Sequence, residues 1–184
     1  MTYTEAVHEF LLDGKLRGNS RATQEHYVRC LTYFERFTGV QNVEDITLHT
    51  CKSFTGQLMD RGLSSVSIQT YVRSARAFLH WLYENEYHPS NLSAKYRLPK
   101  AQRKVIDVLT PEEINQLVNC FDTSRFHDLR NLCMCLLMLD SGLRLGEVIS
   151  LRADRLHLKE RYAIVDGKCN KQRYIPLGEF GAGY

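Results

Sequence analysis

One stretch constrains this 184-residue chain more than any other: LDSGLRLGEVISLRADRLHLKERYAIVDGKCNKQRYIPL, residues 139–177. Gly142 ends an apolar helical run, and a short helix is expected at about 145–151. Short strands follow at about 157–158, 162–165 and 173–176, the last two joined by the turn Asp166-Gly-Lys-Cys-Asn-Lys171. A helical chain that feeds a small β-hairpin or sheet, mainly α overall, is the fold class this pattern predicts. Arg144 stands at the helix-to-helix corner, where packing can fix its planar fork and present it to two oxygens of one phosphate. Glu147 lies one helical turn on, within reach of that guanidinium. In isolation the pair reads first as an internal salt bridge at the corner. Lys168 and Lys171 lie on the hairpin, where lysines are commonly solvated. A lysine on such a tip can also enter a DNA groove and protonate a departing oxygen.

The residues before this stretch divide in three. Residues 1–87 predict four helices: 4–12; Ser20, an N-cap, to near Gly39; about 47–59, stopped by Gly62; and a fourth from Ser64 or Ser65. Tyr27, Leu31, Phe34 and Phe37 fall at helical spacing on the second. Ile68, Tyr71, Val72, Ala75, Phe78, Leu79 and Leu82 do so on the fourth, whose other face holds Arg73, Arg76 and His80. Such stripes make the core of a small bundle. Residues 88–109, HPSNLSAKYRLPKAQRKVIDVL, carry two prolines and the cluster Lys95, Arg97, Lys100, Arg103 and Lys104. They read as an extended basic linker, either solvated or laid across DNA backbone.

A second domain, 110–184, opens at Thr-Pro-Glu-Glu. Thr110 is placed as N-cap, Pro111 at the first helical position and Glu113 in a capping box, with a helix to about Phe121. The next helix, about 125–140, contains LCMCLLML at 132–139 and is expected to be buried on most sides.

The net charge of +3 is too small to assign a binding partner by itself. The start has no signal-peptide pattern and no apolar run reaches about 18 residues, so a cytoplasmic protein is expected. The six cysteines, at 30, 51, 120, 133, 135 and 169, form no Cys-x-x-Cys pair and read as reduced, packed thiols rather than metal ligands.

The order of a capped Thr-Pro-Glu-Glu helix, an apolar helix, Gly-Leu-Arg-x-x-Glu and the hairpin Gly-Lys-x-Asn-Lys-x-Arg-x-x-Pro-Leu resembles the tyrosine recombinases of the Xer and phage-integrase type. The resemblance covers residues from about Thr4 to Glu179. It implies a four-helix, SAM-like core-binding domain over 1–87, a basic linker over 88–109, and the N-terminal half of an α+β catalytic domain over 110–184. It places Arg144 at the family's first catalytic arginine, on the scissile phosphate, and Lys168 at its catalytic lysine. Cys169 departs from the glycine common there. In that family a tyrosine attacks phosphorus, giving a 3′-phosphotyrosyl link that a 5′-hydroxyl later reverses.

The partners implied are double-stranded DNA and further copies of the chain, a tetramer on DNA in the intact family, with no metal, cofactor or membrane. Arg73, Arg76, Lys95, Arg97, Arg103, Lys104 and Lys171 are the candidate DNA contacts. The family's His-x-x-Arg box, further His or Trp, and nucleophilic tyrosine do not follow Lys168 here. The chain is therefore expected to bind DNA without cleaving it. The alternative is a non-catalytic helical interaction module or truncated regulatory remnant.

Two look-alikes are set aside. His127-Asp-Leu-Arg130 precedes Arg144 and reads as a polar helix start, and His26-Tyr-Val-Arg29 reads as a surface face. Tyr184 follows a Gly-Ala-Gly tail with no scaffold to position it. The apolar helix also needs partners. Association or swapping through 110–184, or partial disorder of that domain, is expected.

Overall fold

The computed structural model describes residues 1–101, 105–167 and 172–178. The chain divides into two compact units, Met1–Val105 and Ile106–Tyr184.

The first unit is helical: α1 (Tyr3–Leu16), α2 (Arg21–Thr38), α3 (Leu48–Asp60), α4 (Ser65–Glu84) and the single turn α5 (Leu92–Lys95). The caps explain the boundaries. Thr2 and Glu5 form a reciprocal capping box that starts α1 earlier than the stripe suggested. The helix runs through Gly14 and ends only where Gly18 takes φ +82. Ser20, Thr47 and Ser64 each accept the third-residue N–H of their helix, and Gly39 ends α2 in the left-handed region.

The apolar stripes converge on one core containing Tyr3, Phe34, Phe54, Phe78, Leu82 and Trp81. Some of its rings meet edge-on, as in Tyr3–Phe78 at 5.4 Å and Phe34–Phe54 at 4.9 Å, and others stack, as in Tyr3–Phe34 at 6.1 Å. The Tyr3 hydroxyl donates to Leu31 O at 3.0 Å, and burial pushes its phenol pKa up. The indole of Trp81 donates to Asp13 at 2.8 Å.

The segment expected to be an extended linker is folded onto this core over residues 88–99. Leu92 and Tyr96 are buried within it, and Tyr96 and Thr55 share a 2.6 Å hydroxyl contact. Buried His88 lies 3.1 Å from Ile46 O, and Gln69 donates to Pro99 O at 2.7 Å. The basic residues concealed the apolar Leu92–Tyr96 spacing of one helical turn.

The second unit holds α6 (Pro111–Asn119), α7 (Phe126–Ser141), α8 (Leu145–Ile149), β1 (Leu156–His157), β2 (Tyr162–Asp166) and β3 (Gln172–Pro176). The strands form an antiparallel sheet in the order β1-β2-β3, with Val165 opposite Arg173 and Ala163 opposite Ile175. Ala163, Val165, Ile175 and Leu177 are buried. Val165 and Ile175 join Leu143 and Val148 in a small core, with Met134, Leu137 and Met138 packed against it.

That core is thin. Only Leu132 and Leu136 of α7 are buried, while Leu139 and Phe126 are exposed, so α7 is not covered on most sides as its composition suggested. No residue of α6 is buried, despite its full capping box and the apolar row Ile114, Leu117 and Val118. Among the described residues no helix is long and apolar enough to cross a membrane.

Candidate functional site

The corner after α7 supplies the most organised polar group of the second unit. Gly142 adopts φ +64, a conformation L side chains rarely adopt, and turns the chain out of the helix. Leu143 then drops into the core, and Arg144 becomes the residue preceding α8. Glu147, one turn into α8, reaches back: its Oε2 accepts the Arg144 backbone N–H at 2.9 Å, and its Oε1 accepts Arg144 Nη1 at 3.3 Å.

The carboxylate is 9% exposed while the Arg144 side chain is 73% exposed. The corner is therefore not a buried turn holding an arginine by packing. A buried carboxylate anchors an arginine whose fork stands in solvent. The Arg144 backbone N–H holds the Glu147 carboxyl below the usual glutamate range, aided by the charges of Arg173 and Arg144.

Arg173 completes the group and was not among the site residues expected from sequence. Its Nη2 donates to Glu147 Oε2 at 3.0 Å. The signal was present: Arg173 and Ile175 share one face of β3, Leu177 just past its end keeps the alternation, and the latter two are buried. The Arg173 side chain on that face is 40% exposed, and the buried Glu147 carboxylate is the partner it reaches. Two guanidiniums thus bracket one carboxylate, leaving net positive charge facing solvent at Arg144.

The expected catalytic lysine, Lys168, and Lys171 lie outside the described residues, as do Arg103, Lys104 and Tyr184. The strands flanking the hairpin are in place, with Asp166 opposite Gln172. Asp166 accepts from Arg155 at 2.6 Å and from Gln172 at 3.2 Å, which pins the base of the turn.

In the first unit, Arg73 is exposed on α4 and donates to Gln69 at 3.0 Å. Arg76 is half-buried, and its Nε donates to Ser93 O at 3.1 Å, so part of its role is to hold α5 against α4. Lys95 and Arg97 are exposed and line a groove with Lys52 of α3, Thr55 and Tyr96. Lys52 joins this basic group only through the fold, since it lies more than 40 residues away in sequence.

His26 is half-buried rather than a plain surface residue. It lies 3.0 Å from the Ser74 hydroxyl and 3.3 Å from Arg29. His127 stands exposed in the first turn of α7, and Arg130 donates to its neighbour Asn131. Cys30 and Cys51 are buried, and burial pushes the Cys51 thiol pKa up to about 12, which leaves it inert as a nucleophile.

Comparison with known proteins matches both units. Residues 107–183 match the phage integrase family model, and residues 7–86 match the phage integrase N-terminal SAM-like domain. Tyrosine recombinase XerD of Staphylococcus haemolyticus is 29% identical over 166 residues, covering 89% of this chain and 56% of that protein. The XerD of Halalkalibacterium halodurans is 30% identical over 183 residues, covering 97% and 61%. The chain thus spans less than two thirds of the length of these relatives.

Among solved structures, a lambda integrase tetramer bound to a Holliday junction superposes with a TM-score of 0.78 at 18% identity, covering 100% of this chain and 54% of that one. The Tn1549 transposon integrase in complex with a circular intermediate DNA superposes at 0.73 with 17% identity, covering 99% and 63%. The fold and both sequence matches agree, and the chain belongs to the phage integrase family of tyrosine recombinases.

Proposed function

We propose that these 184 residues grip duplex DNA and contribute two groups, Arg144 and Lys168, to a site-specific recombinase that breaks and rejoins DNA strands through a phosphotyrosine. The observation that carries this reading is the solvent-facing Arg144 fork anchored by the buried Glu147 carboxylate. A guanidinium held at Nη1 and at its own backbone N–H, with the rest of its donors facing solvent, suits the oxygens of a scissile phosphate. Lys168 follows Arg144 at the spacing of the family hairpin and would donate a proton to the departing 5′ oxygen. Arg73, Arg76, Lys95, Arg97, Arg103, Lys104 and Lys171 would meet backbone phosphates, which fix register without reading sequence.

Two cationic groups are too few to stabilise a pentavalent phosphorane alone. No His-x-x-Arg follows Lys168 within this sequence, so this polypeptide by itself should bind DNA and leave it uncut. The test is fluorescence anisotropy with a duplex across a salt series, beside a denaturing gel for protein–DNA adducts. Binding whose log affinity falls linearly with log salt, without an adduct, is the expected result. A covalent adduct refutes the non-cleaving reading, and absence of binding at low salt refutes DNA gripping.

Self-association forms part of the proposal. The unburied apolar rows of α6 and α7 favour it, since exposed apolar surface of that kind is commonly covered by another chain. Light scattering should then give a mass above that of one chain, or one that rises with concentration. A monomer at every concentration counts against it.

A further inference from the structure

We propose that Arg173 is a positioning residue: by sharing the Glu147 carboxylate with Arg144, it couples the strand leaving the 168–171 hairpin to the phosphate-gripping corner. The inference rests on the reading of Arg144 as a phosphate ligand.

The Arg144 side chain is 73% exposed, so packing does little to orient it, and among the described residues its guanidinium contacts Glu147 alone, through Nη1 at 3.3 Å. Glu147 Oε2 takes two donors, the Arg144 backbone N–H at 2.9 Å and Arg173 Nη2 at 3.0 Å. A carboxylate bound from both sides cannot rotate toward either partner without breaking the other hydrogen bond. Arg173 therefore limits where Glu147, and through it the Arg144 guanidinium, can point.

Charge acts in the same direction. With Arg144 alone, Glu147 would neutralise the group that must attract a phosphate. The second guanidinium offsets that carboxylate and restores an excess of one positive charge to the cluster. The placement also links two parts of the proposed site. Arg173 is the second residue of β3 and stands opposite Val165. A shift of β3 must pull on Glu147 as well.

The test follows the arginine Nε–Hε resonances of the 184-residue chain, with Arg144 assigned through R144K. In the wild-type chain the Arg144 signal is expected to stand apart from those of solvated arginines. In R173Q it should collapse toward them, and in R173K, which keeps charge and one donor, it should stay apart. The Val165 and Ile175 methyl signals report whether the fold is kept. An Arg144 signal unmoved in a folded R173Q overturns the proposal.

E147Q provides a second route if R173Q does not fold. The Arg144 and Arg173 signals should both move, because one carboxylate serves both, and movement of Arg144 alone overturns the sharing. Addition of a short duplex at low salt separates the two levels of inference. If the duplex leaves the wild-type Arg144 signal in place, the phosphate-ligand reading fails and takes this one with it. If the duplex moves it but R173Q does not, only the coupling fails.

Discussion

Asp140 and Gly178 close the second unit from opposite ends of its site-forming stretch, the Gly178 N–H donating to Asp140 Oδ2 at 2.6 Å. A Cβ at position 178 would overlap that carboxylate. The carboxylate is the free end of a side chain and can turn aside, so Gly178→Ala should weaken the hydrogen bond at a modest cost, about 0.5–1.5 kcal/mol. Urea unfolding followed by circular dichroism checks it. Asp140→Asn, which keeps an acceptor, should lose less.

Acid should loosen the Arg144 corner. The Glu147 carboxyl in the folded chain lies below its ordinary value of 4.5. Its contribution is therefore fully present above that value and disappears as pH falls through the lower folded value. The wild-type chain should lose stability in that acidic window, whereas E147Q should start lower and lose less on acidification. Urea midpoints at neutral pH and well below 4.5 compare the two slopes; parallel slopes would refute the assignment.

The first unit depends on its aromatic core. Phe54 is fully buried against Phe34, and Phe54→Ala should cost about 3–5 kcal/mol through forfeited transfer energy and a residual cavity. Trp81, the single tryptophan, packs in the same core and serves as the fluorescent reporter of that transition.

Removing one surface cation should act uniformly on DNA sequences. Arg73→Ala or Lys95→Ala is expected to weaken duplex binding whatever the sequence, and to reduce the slope of log affinity against log salt by about 0.9 for each phosphate no longer neutralised. Arg76→Ala should also destabilise the first unit, because Arg76 holds Ser93 O. Anisotropy across salt, paired with thermal melts, distinguishes these two outcomes.

Much of this molecule is legible in its sequence. The caps Ser20, Thr110 and Pro111 and the stop at Gly39 lie where local chemistry requires them, because a helix end is decided within a few residues. The strands of 162–176 were legible for the same reason. Three features were not, and each depends on distant partners. Residues 88–99 read as linker because Leu92 and Tyr96 reveal a core contact only once α3 and α4 are placed. The exposed side of α7 was hidden because composition reports what a helix wants to bury, not what lies beside it. Arg173 is one letter of the hairpin motif in sequence, and its pairing with Glu147 is concealed by a sequence separation of 26 residues.

The beginning of the chain has an unusual mechanical status. Tyr3 is buried, its N–H donates to Gln41 O at 2.8 Å, and Thr2 bridges Asn42. Terminal residues ordinarily fray first and exchange their amide hydrogens fastest. Here the Tyr3 amide can open only when the Gln41–Val43 segment and the aromatic core release it. Its exchange should follow global unfolding of the first unit, so that the third residue of the chain reports the stability of the whole bundle.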